Sequence, residues 1–194
     1  AFVCGLLRSK VGWLGILPVF MGVMAVLTAR RPDLLVTGDG KHLALVSADG
    51  NVALLRSGAG EYVRDMLLEN AGTNAEPIPI EQWRGVKCSP DICVFDIERG
   101  RKRWSVLATR TRYQVPSMEM AAACKRVDIV VSDRWLPKSC MPRWVKADRN
   151  FLETSGGLAF YLNQSRLATV NNDNAHMPWV KAAQAAKAQA AETQ

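Results

Sequence analysis

The sequence predicts an α+β or layered α/β domain, a β-sandwich with helices, set behind a transmembrane helix. Three observations predict it. β-prone and helix-prone runs follow one another as sheet, helix, sheet, helix, strand and hairpin, an order that suits sheets covered by helices. Val11 to Ala29 carries no charge over nineteen residues, and a helix of that length spans about 28 Å, enough for a bilayer core. Asp128-Ile129-Val130-Val131 is short, apolar and β-branched, the composition of a strand buried on both faces.

Taken in order, residues 1–10 read as the end of a preceding membrane span and its loop. Ala1 to Leu7 is apolar and Arg8-Ser9-Lys10 makes a tight basic turn. The chain starts at Ala1 inside an apolar run, so we expect the tail of a longer protein. Residues 11–31 are the expected transmembrane helix, with Trp13 near one edge, where aromatic rings prefer to sit, and with a tolerable Pro18. A signal peptide and a buried core helix are the rival readings. The first has no convincing cleavage site and the second lacks a polar face. Arg8 and Lys10 on one side and Arg30 and Arg31 on the other leave the orientation open.

Residues 32–180 make the soluble domain. Leu34–Val36, His42–Val46 and Asn51–Leu55 read as strands, with Gly38-Asp39-Gly40 and Asp49-Gly50 as hairpin turns. No helix opens after these glycines, which argues against a nucleotide loop. Glu61–Ala71 places Tyr62, Val63, Met66 and Leu67 on one helical face, and Gly72 is a stop. Gly85–Cys88, Cys93–Ile97 and Trp104–Ala108 form a second β region with a turn at Glu98–Arg101. Ser117 is expected to cap a helix over MEMAAACK. After the strand at 128–131 comes a loop with Pro137 and Pro142, then a helical turn at Asn150–Glu153. Leu158–Leu162 and Leu167–Val170 form a last hairpin. Residues 181–194, rich in Ala, Gln and Lys, form a tail without an apolar face.

The formal net charge of +7 favours an anionic partner, nucleic acid or anionic lipid, and says nothing about fold. Only two histidines, His42 and His176, are present, so a centre built from several imidazoles cannot be assembled. No Ser-His-acid or Cys-His arrangement can be placed, and Cys140 has no histidine nearby. Two basic-aromatic clusters stand out. Arg134, Lys138, Arg143, Lys146 and Arg149 alternate with Trp135 and Trp144, against the single carboxylate of Asp148, in the loop beyond a buried strand, where sites tend to be built. Arg99, Arg101, Lys102, Arg103, Trp104, Arg110, Arg112 and Tyr113 form the second. Cations tracking phosphates beside aromatic faces suit single-stranded nucleic acid. Solvated charge and core tryptophans are the plainer account.

Cys88 and Cys93 flank a four-residue loop that sets them opposite each other, near disulfide geometry. Cys124 and Cys140 bracket the strand at 128–131 and meet if the loop folds back. Paired, the four suit an oxidising compartment; buried free thiols are the alternative.

Several stretches together resemble a known family. The apolar stretch with its Pro18, then RPDLLVTGDGKHLAL (31–45), GEYVRDMLLENAG (60–72), DIVVSDRWLPKSCMPRWVKADR (128–149) and SGGLAFYL (155–162), is similar to the C-terminal part of ComEC-type competence proteins in their alphaproteobacterial form. The likeness runs from the last membrane helix to about Trp179, and Ser132–Asp148 is its most specific piece. The resemblance implies an inner-membrane protein that conducts single-stranded DNA inward during natural transformation. It also implies a metallo-β-lactamase-like C-terminal domain facing the periplasm, a nuclease in many members. Gly38–Leu55 resembles that fold's opening hairpin, Glu61–Gly72 its first helix, Cys93–Ala108 its later strand pair, and Asp128–Ser132 the strand before a ligand loop.

The departures from the family pattern are at the ligands. The His-x-His-x-Asp-His motif should follow the first helix, where TNAEPIPIEQW has no histidine. Arg110 stands near the expected ligand aspartate, and no histidine falls at Ser132-Asp133-Arg134. The resemblance therefore implies a degenerate, non-catalytic scaffold without cofactor. Its expected DNA-binding residues are Arg110, Arg134, Trp135, Lys138, Arg143, Trp144, Lys146 and Arg149. The expected partners are single-stranded DNA, membrane lipid, the remaining membrane part of the same protein and, as an open option, a second copy. Two other readings stay open. One is a nuclease binding magnesium or manganese through Asp39, Asp96 and Asp133. The other is a packing domain that binds a partner protein through an uncharged apolar patch.

Overall fold

Alternation decides the architecture. The computed structural model describes residues 16–28, 30–111, 113, 115–173 and 177, and divides the chain into two compact units, Ala1–Arg31 and Pro32–Gln194. In the second unit Leu34, Val36, Leu43 and Leu45 face one core, while Leu35, Ala44 and Val46 face another. That is the period-two pattern of strands covered on both sides.

The first sheet has six strands: β1 (Leu34–Val36), β2 (Leu43–Val46), β3 (Val52–Leu54), β4 (Ile78–Pro79), β10 (Leu158–Tyr161) and β11 (Arg166–Thr169), in the order β11-β10-β1-β2-β3-β4. The second has five: β5 (Lys87–Cys88), β6 (Ile92–Arg99), β7 (Lys102–Thr109), β8 (Ile129–Val131) and β9 (Val145–Ala147), in chain order. The sheets face each other across Leu34, Leu43, Leu45, Phe95, Trp104, Val106, Ile129 and Phe160. Helix α2 (Glu61–Ala71) covers the outer face of the first sheet through Leu67 and Ala71. Helix α3 (Ser117–Cys124) covers that of the second through Met120 and Cys124. The unit is a mixed α/β sandwich layered helix, sheet, sheet, helix, as the fold class read from the sequence requires. Short helices α4 (Arg149–Ser155) and α5 (Val170–Asp173) flank the last hairpin. All three core clusters use residues of this unit alone.

Strand direction fixes where functional groups can gather. β1 and β3 are each antiparallel to β2, and β7, β8 and β9 run parallel. One end of the sandwich, here the upper, collects the β1–β2 turn and the exits of β3, β7, β8 and β9. The lower end collects the β6–β7 hairpin tip and the starts of β8 and β9. Asp33, just before β1, joins the sheets at the lower end. It accepts from Arg99 Nε and from Leu162 N (2.7 Å), while Arg99 Nη2 donates to Val46 O.

Three local expectations need correction. Ser117 is the first helical residue rather than a cap. Pro116 occupies the cap position, and no side chain there accepts a hydrogen bond. The basic loop contains strand β9, which its lysine hides, because Lys146 stands between inward-facing Val145 and Ala147. The helical turn expected from Asn150 begins at Arg149, capped by Asp148, whose carboxylate accepts from Phe151 N at 3.2 Å. In the first unit the helix α1 covers Ile16–Thr28, thirteen residues or about 20 Å. Among the described residues no helix is long and apolar enough to cross a membrane. Residues 11–15 and 29 of the expected span, and the tail at 181–194, lie outside the described residues.

Candidate functional site

The upper end brings the two sheets' polar groups together around Asp133. Gly40 makes the approach possible. Its φ is +69°, and a Cβ there would meet Leu152 Cδ1 at 2.7 Å and Ser132 O at 2.8 Å. Only glycine lets the β1–β2 turn lie this close to the exit of β8. Within that turn Asp39 accepts from Thr37 Oγ1 at 2.5 Å and from Lys41 N at 3.0 Å. Burial raises the Asp39 pKa, but these bonds and the His42 and Lys41 charges outweigh it and hold the carboxyl below its ordinary value. Burial pushes His42 the other way, to a pKa below its usual one. Arg56 and Lys41 add to the shift and Asp39 opposes it. His42 Nδ1 is enclosed without a hydrogen-bond partner.

Arg56, just past β3, donates from Nη2 to Asp133 Oδ2 at 3.1 Å. Arg134 Nε lies 3.9 Å from Asp133 Oδ1, and Thr109 Oγ1 is 3.5 Å from the same oxygen. Ser132 Oγ takes hydrogen bonds from Thr109 Oγ1 and Arg134 N, both at 3.2 Å. Arg134 Nη1 donates to Tyr113 O. Three guanidinium nitrogens of this group, Arg56 Nε and Arg134 Nε and Nη2, are enclosed and have no hydrogen-bond acceptor. An enclosed donor without an acceptor costs about 1–3 kcal/mol, so Arg56 and Arg134 are short of acceptors. Beside it lies a cavity of about 390 Å³ walled by Val115, Pro116, Met120, Leu136 and Pro137. Arg134 is its one charged lining residue, and Trp135 stands exposed at its edge.

The residues expected to bind nucleic acid divide among five roles. Arg134, Trp135 and Arg149 stand together. The Arg149 guanidinium lies over the Trp135 ring at 4.4 Å and its Nε is 2.9 Å from Glu153. Arg110 is at the same end, paired with Glu81. Lys146 braces the loop. Its Nζ donates to Leu136 O and Pro137 O at 3.2 and 3.1 Å and lies 3.3 Å from Asp148. Trp144 is half-buried against the core, its ring tilted to Trp104 at 4.6 Å and edge-on to Phe160 at 5.7 Å, rather than a free surface platform. Arg143 precedes β9 and belongs to the lower end, about 20 Å away at ~3.3 Å per residue. There it sits 3.1 Å from Asp128. Lys138 is exposed in the loop between. Arg112 and His176 lie outside the described residues. One continuous groove over all eight expected residues does not form.

The three carboxylates of the alternative metal reading do not converge. Asp39 and Asp133 line one cavity of about 270 Å³, but Asp133 is committed to Arg56. Asp96 faces outward on β6, bonded to Ser105. Among the described residues no group of three or more His, Cys, Asp or Glu side chains comes together to hold a metal ion.

Cys88 is bonded to Cys93 across the β5–β6 register pair, and Cys124 to Cys140, tying α3 to the loop after β8. Sequence reasoning missed Arg56, Thr109 and Ser132. The available signal for Arg56 was a lone cation directly after a buried strand; Asp133, 77 residues away, could not be matched to it without the fold. Comparison with known protein families, with curated proteins and with solved structures finds no match to this chain.

Proposed function

We propose that the chain is the C-terminal part of a ComEC-type DNA-uptake protein of the inner membrane. On this reading Val11–Ala29 is its last span. The sandwich is a non-catalytic, metallo-β-lactamase-like domain on the periplasmic side, and its upper end holds single-stranded DNA in transit. The helix, sheet, sheet, helix layering supports the scaffold part of the reading. So does the meeting of strand exits at the end where such a scaffold keeps its ligands. Arginine, serine and a paired aspartate stand at those exits here.

The observation that carries the reading is the acceptor shortage around Arg134. Its unfilled donors lie beside a nucleotide-sized cavity, and Trp135 offers a face for a base, as single-strand sites combine cations with aromatics. A phosphate in that cavity would meet Arg134, its one charged lining residue.

The test is fluorescence anisotropy of a labelled single-stranded oligonucleotide with the Pro32–Gln194 unit, titrated with salt. Binding should weaken with salt by roughly 0.7 log units per log unit of salt for each phosphate neutralised. Arg134→Gln and Trp135→Ala should each weaken it about tenfold, in line with the ~1–3 kcal/mol of a stacked base. Binding that ignores ionic strength, or none at low salt, overturns the reading.

A further inference from the structure

The lower end carries a charge excess that this function leaves unused. Arg101 and Lys102 form the tip of the β6–β7 hairpin, Arg103 follows, Lys125 and Arg126 fill the link from α3 to β8, and Arg143 precedes β9. Because β7, β8 and β9 are parallel, these six exposed cations lie at the starts of three adjacent strands, about 10 Å across. Glu98 pairs with Arg103 at 2.7 Å and Asp128 with Arg143 at 3.1 Å. The described residues provide no ion pair for Arg101, Lys102, Lys125 or Arg126. Like charges held within a Debye length repel, and an anionic surface against the cluster would relieve that repulsion.

A second observation identifies that surface. Asp33, where the chain enters this unit, is bonded to Arg99 beside the hairpin tip. Only Arg30, Arg31 and Pro32 separate it from the uncharged stretch that ends at Ala29, about 14 Å of fully extended chain. A third observation separates lipid from nucleic acid. Trp104, which lies under Lys102 at 3.5 Å, is 1% exposed, and the half-buried Trp83 shares a cavity with Arg103 rather than with Arg101, Lys102, Lys125 or Arg126. Phosphates without bases to stack are what this edge can take.

We infer that the lower edge binds anionic phospholipid headgroups, with Arg101, Lys102, Lys125 and Arg126 facing the lipid phosphates. From the proposed function this takes only the membrane span at Val11–Ala29; it needs nothing from DNA.

The Pro32–Gln194 unit, which makes its core from its own residues, allows the test without the anchor. Flotation is measured with phosphatidylcholine vesicles and with vesicles containing phosphatidylglycerol, at low and high salt, beside the oligonucleotide assay. The unit should float with anionic vesicles only, and less in high salt. Combined Arg101→Ser, Lys102→Ser, Lys125→Ser and Arg126→Ser should lower vesicle partitioning by at least about a hundredfold, at roughly fivefold per cation. That variant should keep its melting temperature and its oligonucleotide binding. Arg134→Gln should leave flotation unchanged, so loss of the DNA reading is distinguishable from loss of this one. Equal binding to neutral vesicles, or none to anionic ones, overturns the inference. So does a fourfold variant that loses oligonucleotide and keeps vesicles, which would make the edge a nucleic-acid site.

Discussion

At the upper end Lys41, Arg56, Arg110, Lys146 and Arg149 each meet a carboxylate: Asp39, Asp133, Glu81, Asp148 and Glu153. At the lower end Arg101, Lys102, Lys125 and Arg126 meet none among the described residues. Both ends are rich in cations, yet the upper spends them on geometry and the lower projects a field. Of the upper pairs, those of Arg56, Arg110 and Lys146 are partly buried and position groups, whereas exposed like charges cost stability slightly and act at a distance. A basic run therefore has no meaning until strand direction assigns it to an end. Arg143 and Arg149, six positions apart, fall on opposite sides of that division.

The sharpest way to break the comparison is Gly40→Ala. It forces a Cβ at positive φ into Leu152 and the Ser132 carbonyl, and should cost about 3 kcal/mol, seen as a fall in Tm of about 6–12 °C. Gly58→Ala, with nothing within 4 Å, should move Tm by less than about 2 °C. Removing the Cys124–Cys140 bond, 16 residues apart, should cost about 3 kcal/mol and removing Cys88–Cys93, 5 apart, about 2. Urea melts of Cys→Ser pairs check both, and reductant should destabilise only chains that keep a bond. Loss of the longer-range bond should loosen the Lys125–Arg126 link and weaken vesicle flotation.

Asp133→Ala leaves Arg56 and Arg134 facing each other without their carboxylate. Both are largely buried, with side chains 25% and 17% exposed, so the cost should be about 2 kcal/mol in denaturant melts. Arg126→Ser at the lower end should stay within about 0.5 kcal/mol. If the two mutations cost alike, the ends are not different in kind.

Two groups of the upper end should give a response to acid. His42 has a folded pKa below its ordinary 6.5, so the unfolded chain takes up the proton first. Its contribution is complete above about pH 6.5 and declines as pH falls below that, toward the folded value. Asp39 follows lower down, its contribution present above 3.8 and lost as pH falls through its depressed folded pKa. Thermal melts from pH 7.5 to 5 should show the first slope, and His42→Gln should flatten it.

What was legible in the sequence was local. The Asp49-Gly50 turn, the stop at Gly72 in its left-handed conformation and the facing of Cys88 and Cys93 each follow from a few neighbouring residues. What depended on distant partners was hidden. β9 is three residues long with an outward lysine and reads as basic loop. Trp144 reads as a surface aromatic until Trp104 and Phe160 are brought beside it. The contacts that join the sheets, Arg56 to Asp133 and Arg99 to Asp33, span 77 and 66 residues. No window on the chain contains both partners.

The knot at Asp33 has a mechanical consequence. β1 lies between β10 and β2, antiparallel to both, and its ladder bonds stand perpendicular to the strand. Tension applied through Pro32 loads both ladders in shear, together with the bonds from Asp33 to Arg99 and Leu162. Tension applied from the other terminus peels β11 off an open sheet edge one bond at a time. The domain is strongest against a pull at Pro32 and yields first at β11.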